Sequence, residues 1–183
     1  MVKNNIIFIS GPASSGKSTL AKYIEKEFNY YRIDEVVRNI PNFDIKKMFK
    51  DEEYAKVMQQ EALLKYYNSL MDSIRTYKRI VVDRYFYDFY VYAKMYIKDE
   101  IWLKHYWKTI ELFEDGIDFH SNVLVVKTYP LDIFENDGFR YTENYDKECK
   151  LFNEVYKNKP VVRLKEKDLD KRKKIINNYI FKL

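Results

Sequence analysis

The chain has 183 residues, 46% hydrophobic and 33% charged, an ordinary soluble composition long enough for one domain with a sizeable core. Its net charge of +5 and a pI of about 9.0 suit an anionic ligand, or simply a lysine-rich surface. A single cysteine, Cys149, excludes an internal disulfide and fits a reducing cytoplasm, and no apolar stretch approaches a membrane span.

The N-terminal residues lead into Ile6–Ile9, a continuous apolar run that ends at a loop and not at a cleavage site, so a buried strand is predicted and a signal peptide is not. From Lys17 to Phe28 the spacing of Leu20, Tyr23, Ile24 and Phe28 predicts an amphipathic helix. Tyr30–Ile33 reads as a second strand ending at Asp34-Glu35, and Pro41 closes a short helical piece. Asp51 to Tyr77 reads as a long helix with Ala55, Met58, Ala62, Tyr66, Leu70 and Ile74 near one face. Ile80–Val82 is a third strand, followed by aromatic-rich helices over Tyr85–Ile97 and Ile101–Phe113. Val123–Val126 is a fourth strand. A polar stretch with Pro130, Asp132, Asp137 and Gly138 precedes a helix from about Glu143. Val161–Leu164 and Leu169–Phe181 give a fifth strand and a closing helix. Lys171-Arg172-Lys173-Lys174 reads as the solvated face of that last helix.

Strands alternating with helices predict a parallel sheet with right-handed crossovers, and a ligand site at the carboxyl ends of the strands. Gly11-Pro12-Ala13-Ser14-Ser15-Gly16-Lys17-Ser18-Thr19 is a complete Walker A loop between the first strand and the first helix. Its glycines let backbone N–H groups close around phosphate oxygens, Lys17 meets the β- and γ-phosphates, and the Ser18 hydroxyl is a ligand for Mg²⁺. Residues 11 and 13–19 are thus the expected ATP contacts. Asp83, at the end of a strand, is the carboxylate expected to organise Mg²⁺ with Ser18; capping the next helix is the simpler alternative. The fold class expected is α/β: a three-layer α/β/α P-loop NTPase fold with a five-stranded parallel sheet, a small lid at about 128–145, and no second domain.

Val126 continues into Lys127-Thr128-Tyr129-Pro130 and not into a guanine-reading Asn-Lys-x-Asp, which argues against a GTPase. Size and element order suit a small kinase. Val82-Asp83-Arg84-Tyr85, with Tyr92 later on the same helix, resembles the Asp-Arg-Tyr motif of thymidylate kinases. Deoxynucleoside kinases carry a related acid–arginine pair at this place. Ile33-Asp34-Glu35-Val36-Val37-Arg38 and the lid Asp137-Gly138-Phe139-Arg140 are similar to nicotinamide-riboside-kinase-like P-loop ATPases. The chain departs from these patterns with Asp88 for a serine, Ala93 for a glutamine, a single lid arginine, and no Glu-Pro after the second strand.

Asp34 or Glu35 is the candidate base, with the resemblance pointing to Glu35; a helix-dipole role is the alternative. Arg84 is expected to hold the acceptor or the moving phosphoryl group, and Arg140 to close with the lid over ATP. Arg38, one turn after Glu35, either contacts substrate or pairs with that glutamate. Deoxynucleoside kinases read the base with a glutamine on the helix before the Asp-Arg strand. Gln59 and Gln60 stand in a comparable place, and Gln60 is the candidate. Of the aromatic cluster Tyr85–Tyr92 most members are expected in the core, with Tyr85 as the candidate substrate contact. The resemblance implies an ATP- and Mg²⁺-dependent transfer to a nucleoside or nucleotide, and an assembly that in related kinases is often a homodimer. A nucleic-acid acceptor and a non-catalytic ATP sensor are the alternatives.

Overall fold

The structure is a computed structural model and describes residues 3–118, 121–131 and 144–183. Five parallel strands, β1 (Asn4–Ser10), β2 (Tyr31–Ile33), β3 (Arg79–Asp83), β4 (Ser121–Thr128) and β5 (Val162–Leu164), form one sheet in the order β2-β3-β1-β4-β5. The helices are α1 (Lys17–Phe28), α2 (Ile45–Met48), α3 (Glu52–Thr76), α4 (Phe86–Tyr96), α5 (Glu100–Asp118), α6 (Tyr145–Val155) and α7 (Leu169–Ile180), and Val36–Asn39 is a turn of 3₁₀ helix.

β1 lies at the centre because both its faces are covered. Ile7 and Ile9 meet Leu20, Ala21 and Ile24 of α1 and Ile176 of α7. Ile6 and Phe8 point the other way, into a larger core shared with α3, α4, α5 and α6. Two buried faces explain why the strand is apolar without alternation. Each such side chain contributes about 1.5–3 kcal/mol by leaving water. The expected α/β/α layers and five-stranded parallel sheet are therefore found.

Boundaries shift where burial continues beyond the apparent periodicity. α5 runs on to Asp118 because Ile110 and Ile117 extend the buried face begun by Leu103 and Tyr106. The short α2 was not read from its four residues; the Asp44 side chain starts it by accepting from the Lys47 N–H. Asp51 caps α3 in the same way at Tyr54. Most of the expected lid, including Asp137, Gly138 and Arg140, lies outside the described residues. Among the described residues no helix is long and apolar enough to cross a membrane.

Candidate active site

β1 ends at Ser10, and the chain turns through Gly11 (φ 142°) and Gly16 (φ 78°) before α1 begins. A Cβ on Gly11 would stand 2.3 Å from Thr128 Oγ1 and 2.7 Å from the Thr128 carbonyl, so only glycine fits. Successive carbonyls of the loop each have a donor. Pro12 O accepts from Lys17 Nζ at 2.7 Å, Ala13 O from the Tyr145 hydroxyl at 3.1 Å, and Ser14 O from the Leu131 N–H at 3.4 Å. A planar trans peptide carries its N–H opposite its carbonyl, so the N–H groups of Ser14 and Ser15 turn away from those partners, while the Ala13 N–H donates to Glu148. Gly16 caps α1 without a side-chain hydrogen bond, and the first turn of α1 holds no acid. An uncapped helix N-terminus beside inward amides is a site for phosphate.

β1 and β3 are paired so that Ile9 faces Asp83, and this register brings Asp83 against the start of α1. The Ser18 hydroxyl donates to Asp83 Oδ2 at 2.5 Å, and Oδ1, fully buried, has no hydrogen-bond partner among the described residues. Lys17 is buried, and its pKa falls to about 8. Burial is the main cause and the Arg84 charge the second, opposed by Asp83, Glu35 and Asp88.

Arg84 follows Asp83 with φ 118°, a conformation unusual for a residue with a Cβ. Its N–H donates to Ile9 O at 3.0 Å, and its carbonyl accepts from the Tyr66 hydroxyl at 3.0 Å. This turn swings the side chain back across the loop. Nε and Nη2 donate to Glu35 Oε1 at 2.8 and 2.5 Å, and Nη1 donates to the Tyr92 hydroxyl at 2.8 Å. Burial opposes the charge, but Glu35, ahead of Tyr92, Asp88 and Asp83, pushes the Arg84 pKa well up and keeps it cationic. The Tyr92 hydroxyl in turn donates to Glu148 Oε1, which also accepts from the Ala13 N–H at 2.7 Å. Asp88, fully buried, accepts from Ser10 Oγ and the Tyr156 hydroxyl, and its other oxygen is 3.7 Å from Arg84 Nη1. Burial raises its pKa against the pull of Arg84 and those hydrogen bonds.

These groups form the polar wall of a chamber whose other wall is apolar, with Phe43, Ile45, Phe49, Phe89, Met95 and Tyr96 around the buried Gln59. The Phe49 and Tyr96 rings meet edge to face at 4.7 Å.

The chamber gathers Ala13, Lys17, Ser18, Glu35 and Arg84, with Asp83 beside it. It does not gather all the expected residues. Asp34 is exposed and paired with Arg32, turned away from the chamber because the extended chain alternates its side chains after β2. Tyr85 is buried in the core against Phe8, Phe86 and Tyr87, with its hydroxyl on Glu114. Gln60 is exposed and its neighbour Gln59 lines the chamber, one residue being about 100° of helix. The Thr19 side chain is exposed on α1, and the side chains of Arg38 and Arg140 lie outside the described residues. Sequence reasoning missed Glu148 altogether. Its signal was position: it precedes Phe152 by four and so shares the buried face of an otherwise charged helix.

A phosphate loop, a strand-end carboxylate beside its serine, and an arginine–glutamate pair facing the same chamber are the parts of a P-loop kinase. The sequence model of the deoxynucleoside kinase family matches residues 7–129, two thirds of the chain, and this protein belongs to that family. Deoxyadenosine kinase from M. mycoides, solved with products dCMP and a flexible dCDP, is 19% identical over 97% of this chain and 100% of its own, with a TM-score of 0.68. The same enzyme with bound dATP is 18% identical over 96% and 98%, again at 0.68. NadR in complex with NR is 19% identical over 89% of this chain and 46% of its own, at 0.66. Likeness at these identities is likeness of fold. No curated protein sequence matches. The family match favours a small nucleoside acceptor over a nucleic acid or a non-catalytic sensor.

Proposed function

We propose that this kinase moves the γ-phosphate of ATP to the 5′-hydroxyl of a deoxynucleoside. The observation that carries the reading is the two-sided chamber. Glu35 and Arg84 stand next to the phosphate loop, while a buried glutamine and a ring of apolar and aromatic side chains line the opposite wall. A nucleoside has matching ends, a hydroxyl on its sugar and a flat base with a hydrogen-bonding edge. Gln59 offers a donor and an acceptor to that edge.

In the transfer, the acceptor oxygen forms a bond to the γ-phosphorus as the bond from that phosphorus to the β,γ-bridging oxygen breaks, giving ADP and a nucleoside 5′-monophosphate. Glu35 takes the hydroxyl proton. Arg84 orients Glu35 through Nε and Nη2 and sets its positive charge beside the moving phosphoryl group. Lys17 and the inward amides hold the β- and γ-phosphates.

The donor set fits Mg²⁺. Ser18 and Asp83 supply hard oxygens, including the buried carboxylate oxygen without a partner, and Mg²⁺ is bound through one or two carboxylates plus phosphates and water. Among the described residues no cluster of three His, Cys, Asp or Glu offers a closed cage. When bound, Mg²⁺ would neutralise charge on the phosphate oxygens.

The test is transfer of labelled γ-phosphate from ATP to a panel of deoxynucleosides, ribonucleosides, nucleotides and oligonucleotides, with Lys17→Ala as blank. Label on a deoxynucleoside supports the reading. Label on nucleotides or oligonucleotides alone overturns it.

A further inference from the structure

The basic run 171–174 is not wholly a solvated face. Arg172 is fully buried, and its side chain is the largest of which that is true among the described residues. A guanidinium taken out of water is costly unless its N–H groups find acceptors. Those of Arg172 find main-chain carbonyls. Nη1 donates to Ser15 O at 2.5 Å, Nη2 to Tyr129 O at 2.8 Å, and Nε to Glu166 O. The three carbonyls belong to separate stretches: the phosphate loop, the chain leaving β4, and the link between β5 and α7. α7 is itself anchored at this point, since Asp168 caps it by accepting from the N–H groups of Asp170 and Lys171.

We propose that Arg172 is a positioning residue for phosphate binding: it holds the Ser15 carbonyl outward and so turns the Gly16 N–H toward the phosphates. Peptide planarity supplies the link. The Ser15–Gly16 peptide is the place where a hold is needed. Gly16 sits at φ 78° without steric penalty, so a flip of this peptide meets less resistance than at residues with a Cβ. A flipped peptide would aim a carbonyl at the phosphates. The carbonyls of Gly11, Pro12, Ala13 and Ser14 already have donors in Arg84 Nη1, Ser15 Oγ, the Tyr145 hydroxyl and the Leu131 N–H, and Arg172 completes the series. A lysine cannot replace it, because one ammonium lacks the planar fork that reaches three carbonyls at fixed angles.

The proposal rests on nucleotide binding at this loop. The chain has only four glycines, so protein labelled with ¹⁵N-glycine gives four assigned amide signals, Gly16 among them. ADP with Mg²⁺ is added to the wild type, Arg172→Met and Arg172→Lys. In the wild type ADP moves the Gly16 signal strongly. In both variants that movement shrinks and the ADP Kd rises roughly tenfold, the scale of one lost hydrogen bond to a charged group, while the Gly116 signal stays in place. If Arg172→Met does not fold, Arg172→Lys, which keeps charge and volume, carries the test. A folded variant with wild-type Gly16 response and Kd overturns the proposal. So does a loss spread equally over all four signals, which would assign Arg172 to general stability. A wild-type Gly16 signal that ADP leaves unmoved overturns the nucleotide reading itself, and the proposal with it.

Discussion

Arg84 and Glu35 form an ion pair in which Nε and Nη2 of the arginine both meet Oε1 of the glutamate, at 2.8 and 2.5 Å. One residue ends the turn after β3 and the other precedes the 3₁₀ turn after β2, so the pair stitches neighbouring strand ends at the mouth of the phosphate loop. Glu35→Gln keeps the shape and one acceptor but cannot take a proton. Turnover should fall by roughly 100- to 10,000-fold while ADP affinity is unchanged. Steady-state kinetics with a separate ADP titration checks this; unchanged turnover would remove Glu35 as base.

The lowered pKa of Lys17 gives a pH signature. In the ligand-free protein the ammonium loses its proton through about 8, whereas an ordinary lysine keeps it to 10.5. The unfolded chain therefore binds more protons between those values, so this group makes stability rise with pH across that window. Bound polyphosphate favours the cation, so ADP binding should take up protons between about 8 and 10.5. Calorimetry at pH 9 in buffers of different ionisation enthalpy measures the uptake, and Lys17→Met should abolish it. Lys127, also pushed down to about 8 by burial, lies on Asn153 and the Phe152 carbonyl, away from the chamber, and Lys127→Met should leave the uptake intact.

Gln59 and Gln60 offer a paired test of base recognition. Gln59→Ala should raise the acceptor KM roughly tenfold, the cost of one unsatisfied polar contact, whereas Gln60→Ala should leave it unchanged. Equal effects, or an effect at Gln60 alone, would place the base elsewhere.

Asp83→Asn retains an acceptor for the Ser18 hydroxyl and removes the negative charge. The Mg²⁺ concentration for half-maximal activity should rise, with the melting temperature little changed. A variant activated by the same Mg²⁺ concentration as the wild type would return Asp83 to a purely structural role.

The layers of the fold and the phosphate loop were legible because both are written locally. Apolar runs such as Ile6–Ile9 mark strands buried on both faces, and the loop is contiguous in sequence. Asp83 and the Asp34-Glu35 pair were legible because strand ends converge at the carboxyl end of the sheet, and the family resemblance singled out Glu35 and Arg84. What escaped depends on rotation and distance. Asp34 and Glu35 are neighbours with opposite directions, and so are Gln59 and Gln60. The face of α3 bearing Ala55, Met58, Ala62 and Tyr66 includes Gln59, so the helical period held the answer that the residue type did not. Tyr85 looked like a substrate contact by motif, but the left-handed turn at Arg84 sends it into the core. Glu148 and Arg172 meet the loop from 135 and 157 residues away, a distance that no local pattern spans.

The short strand β2 has a consequence for how the protein fails. It is an edge strand, paired with β3 only through Tyr31, Arg32 and Ile33, and Glu35 follows two residues after it. Segments with few pairings open at a fraction of the free energy that unfolds the whole domain. Heat inactivation and melting would therefore separate, with transfer lost while β1 and its two cores persist. An acceptor bound against Glu35 would close that gap from the outside, so the enzyme is at its sturdiest while it is working.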